Sequence, residues 1–524
     1  MHEQEVVLEV RDLSLRLPDG KTLFEGLELT LNRGEVVAVL GGSGTGKSTL
    51  ARALLEPDAL RQQGMELSLG QVRVAGRLGL VPQHGAPFDH LDVAGNIGLA
   101  LRHREKTGDE DPGGVSDWIE AVDLPRALAR PGVDVARLSG GQAQRLAVAR
   151  TLATGQRVLF LDEPSAGLDG ERVKGLAALL RRQCDARGAA MVVTTHDTQL
   201  ACHVADRVLL LDPAARRLVP VLEESWPGPL DPGDPDQALA WRGRLEAKVE
   251  RLLQRGEAPA ERARVAGRPA IGRALRGLFG AFLVPGRVIA TAPGWLRNPR
   301  DLWAVLRRVL VASAIRPAPF YLVVSVLLGY TILYVAARAM PAGLQARSTV
   351  ELVGGSYILA LTPPICAFLF VATSGSAVNA WLGSLSLTRQ IAALEAMGIP
   401  RDRYLWVPGW LGLSLSFLVA AAIFAGGMLL GGAWHSYQSG VADPWPVLLG
   451  DLLDPTPGRA VLRDRAAWLV GIYAFGVAAD VVERGCRRKT DADAVTRGMT
   501  GSVVACTLWV VALELLTAVW VFRR

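Results

Sequence analysis

The sequence predicts an α/β domain followed by an all-α domain that spans a membrane, in one chain of 524 residues. Over residues 1–222, short runs rich in Val and Leu alternate with helical runs, which is typical of a buried parallel sheet with crossover helices. After about residue 318 the chain carries long apolar stretches, which account for its positive mean hydropathy of +0.24. Residues 223–269 separate the two domains.

The α/β domain is predicted to contain strands at 6–10, 35–40, 158–161, 191–195 and 208–211. A Pro- and Gly-rich linker follows at 223–240, and then a solvated charged helix at 241–255. In the second domain, 270–524, five stretches approach the roughly 20 apolar residues that a bilayer requires. They cover about 318–340, 356–381, 405–432, 466–483 and 499–522. Ahead of them, 271–296 indicates an amphipathic helix, either in the membrane interface or packed on the first domain.

A glycine-rich loop predicts a nucleotide phosphate site. It fits the pattern G-x-x-x-x-G-K-S/T between the strand at 35–40 and a helical run, which is the context that this motif requires. Its predicted ATP-binding residues are Gly41, Gly42, Ser43, Gly44, Thr45, Gly46, Lys47, Ser48 and Thr49. Backbone N–H groups would wrap the phosphates, Lys47 would reach the β- and γ-phosphates, and the Ser48 hydroxyl would bind Mg²⁺.

Two acidic residues, Asp162 and Glu163, end the apolar run at 158–161. After a phosphate loop, this arrangement predicts that Asp162 holds Mg²⁺, directly or through water. Glu163 would then polarise the attacking water. The sequence therefore predicts hydrolysis of ATP with Mg²⁺ as cofactor.

A second phosphate-binding helix start is predicted at Ser139, Gly140, Gly141 and Gln142, which follow Leu138. With it, residues 6–212 resemble the ABC ATPase family. The resemblance implies that Gln83 touches Mg²⁺ and the membrane partner, that Asp169 ends the D-loop, and that His196 is the switch histidine at the γ-phosphate. It also implies that two copies are needed, because the signature segment completes the site of the opposite ATPase.

One departure from that family concerns the adenine. The family usually stacks the base on an aromatic residue near 15–17, and this segment holds none. We expect adenine to rest on aliphatic surface, with weaker base selectivity.

A short helix with a coupling role is predicted at 384–400, between the second and third apolar stretches. Leu387, Ile391 and Leu394 share a face with Met397, and Gly398 and Pro400 stop the helix. On the side of the ATPase it could transmit nucleotide-driven motion. An interfacial helix without a coupling role is the alternative.

The second domain resembles the MlaE family of lipid-transporter permeases. The shared segments are 375–377, 382–384, 388–399, 403–408, 485–488 and 493–500. The resemblance implies an interfacial helix with five spans, a homodimer, and movement of phospholipid or a related lipid with an extracytoplasmic MCE-domain partner. Trp381, Ser386, Thr373 and Ala392 depart from the residues usual in that family.

Glu514 lies within the last apolar stretch, where a charged group should face protein or water. It is either a cavity group that contacts a lipid headgroup or proton, or a hydrogen-bonded tie between helices.

The whole chain thus predicts an ATP-driven lipid transporter of the cell (inner) membrane. Arg and Lys are more frequent on the flanks that would share the side of the ATPase, which predicts a cytoplasmic ATPase and an outside C-terminus. An exporter of drugs or other hydrophobic molecules and a non-transporting signalling device are the alternatives. The net charge of +6 is assigned to membrane flanks, because no basic stripe with interleaved aromatics predicts nucleic-acid binding.

Overall fold

A computed structural model describes residues 5–522 with gaps at 43, 84, 105–112, 223–225, 232–233, 255–298, 341–352, 354, 454–456 and 490. The chain forms two compact units. Unit 1 contains residues 1–268 together with 388–400, and unit 2 contains 269–387 and 401–524. The amphipathic helix predicted at 271–296 lies outside the described residues.

Among the described residues of unit 1, nine strands form two sheets. They are β1 Val6–Arg16, β2 Thr22–Asn32, β3 Val36–Leu40, β4 Glu66–Val74, β5 Leu78–Val81, β6 Val158–Asp162, β7 Ala190–Thr195, β8 Arg207–Asp212 and β9 Arg217–Pro220. The antiparallel sheet has the order β2-β1-β4, and the six-stranded sheet has the order β5-β6-β7-β3-β8-β9, parallel except for β9. All five strands predicted from the sequence are present, and β1 extends further than expected.

The candidate functional segments of unit 1 lie at one edge of the parallel sheet. Strand β3 is buried throughout and leads into the phosphate loop, and β6 ends at Asp162, which is paired in register with Thr194 of β7. Because the carboxyl ends of parallel strands meet at one edge of a sheet, these segments converge there.

Eight α-helices lie in the described part of the chain before residue 255. They are α1 Lys47–Leu55, α2 Pro57–Gln62, α3 Val93–Arg102, α4 Val115–Ala121, α5 Gly140–Ala153, α6 Gly170–Arg187, α7 Thr198–Val204 and α8 Pro235–Gln254. The expected linker end at 240 is wrong, because α8 begins at Pro235, whose fixed φ suits the first turn of a helix. Trp226, Trp241 and Leu245 pack this charged helix against α7 and β8.

The other described α-helices lie after residue 298. They are α9 Pro299–Leu310, α10 Ala318–Ala339, α11 Ser356–Phe370, α12 Ser376–Leu387, α13 Gln390–Ala396, α14 Val407–Gln438, α15 Trp445–Leu453, α16 Pro457–Gly485 and α17 Ala492–Phe522. Of these, α13 belongs to unit 1. Within the part of the chain that the structure describes, five continuous helical stretches are long and apolar enough to cross a membrane, as predicted, at 299–339, 356–387, 402–438, 460–485 and 492–519. Several run past the predicted ends, since a helix continues beyond its apolar core.

Small residues let α10 and α14 approach closely in unit 2. A methyl group added at Gly431 would lie 1.9 Å from the carbonyl oxygen of Val326, and one at Gly329 would lie 2.1 Å from that of Met428. Neither position has room for a side chain. Close backbone contact at small residues is the usual way in which membrane helices associate.

The predicted continuous helix at 384–400 is wrong. Helix α12 ends at Leu387, and Arg389 adopts a left-handed conformation with φ of 59° before α13 begins. A helix cannot continue through that conformation. Gly398, with φ of 75°, ends the segment as expected.

Candidate nucleotide site

A cavity of about 700 Å³ opens over the phosphate loop of unit 1. It is lined by Leu17, Leu23, Gly44, Gly46, Lys47, Ser48, Thr49, Gln83, Glu163 and His196. Four sequence-separated segments that were predicted to act on ATP therefore share one cavity. Ser43 lies outside the described residues.

The side chain of Lys47 is buried and folded onto its own loop. Its ammonium nitrogen donates to the carbonyl oxygens of Gly41 at 2.7 Å and Gly42 at 3.1 Å. Thr45 also closes the loop, because its hydroxyl donates to Gly42 at 2.9 Å. Helix α1 begins at Lys47 itself, so its first N–H groups face the loop, where an anion is favoured.

Asp162 is fully buried at the end of β6. Its Oδ1 accepts hydrogen bonds from the hydroxyls of Ser48 and Thr194, each at 3.0 Å, and its Oδ2 is paired with the guanidinium of Arg389. A buried carboxylate requires partners of this kind, because leaving it unpaired away from water is costly.

Glu163 follows in a left-handed conformation with φ of 51°. Its two carboxylate oxygens diverge to different partners, one 3.2 Å from Nζ of Lys47 and the other 2.5 Å from Nδ1 of His196. Non-glycine residues held in this region are uncommon and concentrate at functional sites. The turn thus aims the carboxylate into the cavity, where it can polarise a water.

The donor set fits Mg²⁺. The described residues contain no group of three or more His, Cys, Asp and Glu side chains that could cage a metal ion. Mg²⁺ is usually held by one or two protein oxygens, with substrate phosphates and waters completing its shell. Ser48 and Asp162, already in contact, are suitable ligands, and Gln83 lines the same cavity.

Leu17 and Leu23 give the cavity its apolar lining. Neither is aromatic, so the described lining offers aliphatic surface, as the sequence predicted for the adenine. Leu23, the second residue of β2, was not expected from the sequence.

The signature segment and the D-loop do not line this cavity. Ser139 caps α5, and its Oγ accepts from the N–H of Gln142 at 3.3 Å while Gln142 accepts from the N–H of Ser139 at 2.9 Å. Asp169 caps α6 by accepting from the N–H of Arg172. Ser139 and Gly140 are exposed, which leaves this helix start open to another molecule.

A second cavity, of about 850 Å³, lies between the D-loop and α8. Its walls include Gly167, Leu168, His196 and the polar side chain of Glu246. A hydrogen bond from the Thr198 hydroxyl, followed in size by one from Arg242, lowers the pKa of the Glu246 carboxyl. Helix α8 is therefore tied to the residues that follow His196.

Residues 388–400 pack within unit 1. Ile391 and Leu394 are buried, and α13 lies against β5, the strand that precedes Gln83. Nε2 of Gln156 donates to the carbonyl oxygen of Ala396 at 2.5 Å. Leu387 is only half-buried, and it ends α12 instead of sharing a helix with Ile391 and Leu394.

Glu514 joins two helices of unit 2. It is ion-paired with Arg465 of α16 and accepts a hydrogen bond from the Tyr473 hydroxyl at 2.9 Å. Arg465 also donates to Thr517 at 3.0 Å. The carboxylate therefore faces protein, as predicted for a charged group in a span.

Comparisons with known proteins are consistent with a nucleotide site in unit 1. The ABC transporter profile matches residues 24–166, and the permease MlaE profile matches 307–520. A sulfate/thiosulfate import ATP-binding protein of Cucumis sativus is 40% identical over 234 residues, which cover 43% of this chain and 65% of that protein. The thiamine import ATP-binding protein ThiQ of Jannaschia sp. is 38% identical over 188 residues, which cover 35% of this chain and 81% of that protein.

The fold and the site define an ABC-type ATPase. The chain belongs to the ABC transporter family and joins an ABC ATPase domain to an MlaE permease domain. It spans 65% of the length of the sulfate/thiosulfate import relative.

Two residues at the site were missed by sequence reasoning. Thr194 was noted only as part of the segment before His196, and its bond to Asp162 follows from the strand register. Arg389 lies in the predicted 384–400 helix and in the permease resemblance, but its contact with Asp162, 227 residues away along the chain, was not predicted. Local sequence patterns do not predict a contact between residues so far apart.

Proposed function

We propose that the protein is an ABC transporter that uses ATP hydrolysis to move phospholipid or a related lipid. The main support for this proposal is that one chain contains both an MlaE permease domain and an ABC ATPase domain. Between its second and third spans, this permease supplies residues 388–400, which pack on the ATPase fold. Hydrolysis could therefore act on the permease through that segment.

The catalytic steps follow from the cavity. Glu163 polarises water toward the γ-phosphate and His196 orients Glu163. The phosphate loop and Lys47 bind the phosphates. Bound Mg²⁺, held by Ser48 and Asp162 with Gln83 nearby, would neutralise the charge that develops on the phosphates.

A homodimer completes the sites. Ser139 and Gly140 are exposed and lie apart from the cavity of their own domain, so the signature segment is open to the nucleotide of a second copy. We place the ATPase in the cytoplasm and the C-terminus outside, in the cell (inner) membrane. An MCE-domain protein or another lipid carrier would meet the permease on the outer side.

The test is reconstitution in proteoliposomes with labelled phospholipid, ATP and Mg²⁺. We expect ATP-dependent movement of the lipid, absent in Glu163→Gln. Stimulation of the ATPase by hydrophobic drugs with no lipid movement would instead support a drug exporter. Hydrolysis with no movement of either would support a signalling device. Mass spectrometry of co-purified lipid would identify the headgroup.

A further inference from the structure

Arg389 contacts the carboxylate that is expected to bind Mg²⁺. Asp162 is fully buried, and its two oxygens have different partners: hydroxyls on Oδ1, and the guanidinium of Arg389 on Oδ2. Among the described residues, Arg389 is the cation that is ion-paired with this carboxylate. A buried carboxylate needs such a counter-charge.

The backbone holds Arg389 in place for this contact. Its φ of 59° is uncommon for a residue with a side chain, and its carbonyl oxygen accepts from the N–H of Ala393 at 3.0 Å as α13 begins. Gln390, directly after it, is buried. The turn therefore separates α12 from α13 and directs the guanidinium toward the end of β6.

Docking of α13 supports the same placement. Leu394 is fully buried, Gln156 donates to the carbonyl oxygen of Ala396, and Arg77 donates to that of Met397 at 3.5 Å. These contacts anchor the segment on its C-terminal side, and Arg389 anchors it on its N-terminal side.

We propose that Arg389 competes with Mg²⁺ for the carboxylate of Asp162: it balances that charge in the absence of Mg²⁺–ATP and loses the pairing when Mg²⁺ binds. Two cations competing for one carboxylate are thermodynamically linked, so Mg²⁺–ATP weakens the hold of the ATPase on residue 389 and that hold weakens Mg²⁺ binding. Since residue 389 lies between two membrane spans, nucleotide binding would be sensed there. This last step rests on the proposed transport function, whereas the competition at Asp162 does not.

The experiment measures nucleotide binding and leaves turnover aside. The full chain carrying Glu163→Gln, purified in nanodiscs, is titrated with Mg²⁺ at a fixed concentration of a fluorescent ATP analogue. Adding Arg389→Ala should lower the Mg²⁺ concentration for half-maximal binding by about tenfold, within the roughly 5- to 150-fold span of site coupling. The affinity for the ATP analogue measured in EDTA, which removes Mg²⁺, should not increase. Arg389→Lys keeps a cation and should stay close to the parent.

Arg77→Ala is the matched control. It loosens the same segment but keeps the charges of Arg389 and Asp162, so the Mg²⁺ midpoint should move far less than in Arg389→Ala. A superimposable Mg²⁺ curve for Arg389→Ala, or an equal shift for Arg77→Ala, would overturn the proposal. If Arg389→Ala fails to fold, Arg389→Gln keeps a hydrogen-bond donor without charge and must show the same shift. A shift in protein that moves no lipid would reject the proposed transport and leave the competition at Asp162 standing.

Discussion

Nζ of Lys47 lies 3.2 Å from a carboxylate oxygen of Glu163, while it also donates to the phosphate loop at Gly41. The cation proposed to bind phosphate and the carboxylate proposed to activate water are thus paired with each other. ATP must take Lys47 away from this pairing, and Glu163 must then face water. Because Lys47 is proposed to serve ATP binding and Glu163 to serve hydrolysis, a mutation can affect one without the other.

Glu163→Gln should retain ATP binding and reduce turnover by about 10²- to 10⁴-fold, the usual contribution of a general base. Lys47 and the backbone, which bind the phosphates, are unchanged, and the lost pairing with Lys47 should not weaken ATP binding. Equilibrium binding and phosphate release measured on one preparation check both. The control is Glu171→Gln, an exposed change in α6. Hydrolysis at the wild-type rate by Glu163→Gln would contradict the assignment of Glu163 as the residue that activates water.

The adenine surface predicts weak base selectivity. Because Leu17 and Leu23 offer aliphatic contact, ATP and GTP should bind with similar affinity. Leu17→Tyr should add stacking of about 0.5–1.5 kcal/mol, or roughly two- to tenfold tighter binding of ATP. Competition between the nucleotides for the wild type and the variant measures this. Unchanged affinity in Leu17→Tyr would place the base elsewhere.

Leu394→Glu should uncouple hydrolysis from transport. Leu394 is fully buried where α13 packs in unit 1, and a carboxylate there would lack a partner, which costs several kcal/mol. The segment should detach while the nucleotide cavity persists. Labelled lipid moved per ATP hydrolysed, measured in proteoliposomes, reports this, with Ala392→Glu at a half-buried position as control. An unchanged ratio in folded Leu394→Glu would contradict coupling through α13.

Gly398→Ala should weaken the same docking in two ways. Its φ of 75° disfavours a side chain, at a cost of about 1 kcal/mol, and an added Cβ would lie 1.7 Å from Nη1 of Arg77. Adding Arg77→Ala removes the overlap, together with the long 3.5 Å hydrogen bond from Arg77 to the carbonyl oxygen of Met397. The double variant should therefore regain part of the coupling ratio and of the thermal stability. Equal defects in the single and double variants would show that the backbone conformation alone matters.

The sequence predicted the nucleotide site well, because each motif is short and its order along alternating strands and helices is informative. It missed β2, whose later residues alternate between buried and exposed, and β4, whose residues are half-buried or exposed, because neither strand is a continuous apolar run. It joined Leu387 to the coupling helix because the helical period continues through that point. Only the conformation of Arg389, fixed by packing and by Asp162, breaks it.

The spans were predictable from length and apolarity, whereas their polar contacts were not. Glu514 was recognisable as a charge that must face protein or water. Its partners Arg465 and Tyr473 lie 49 and 41 residues away on another helix. Which residues of two packed helices meet depends on their rotation and offset, and neither follows from hydropathy.

Glu514→Gln tests whether this carboxylate does more than join α16 to α17. The single change leaves the guanidinium of Arg465 buried without its counter-charge, so stability should fall by about 3–5 kcal/mol whichever role is correct. Adding Arg465→Gln makes the pair neutral and should restore most of that stability. If Glu514 contacts a lipid headgroup or carries a proton, the double variant should fold, hydrolyse ATP at the basal rate and still transport poorly. Thermal midpoints, basal hydrolysis and lipid movement across a range of pH separate these outcomes. Normal transport by the stable double variant would leave Glu514 with a structural role only.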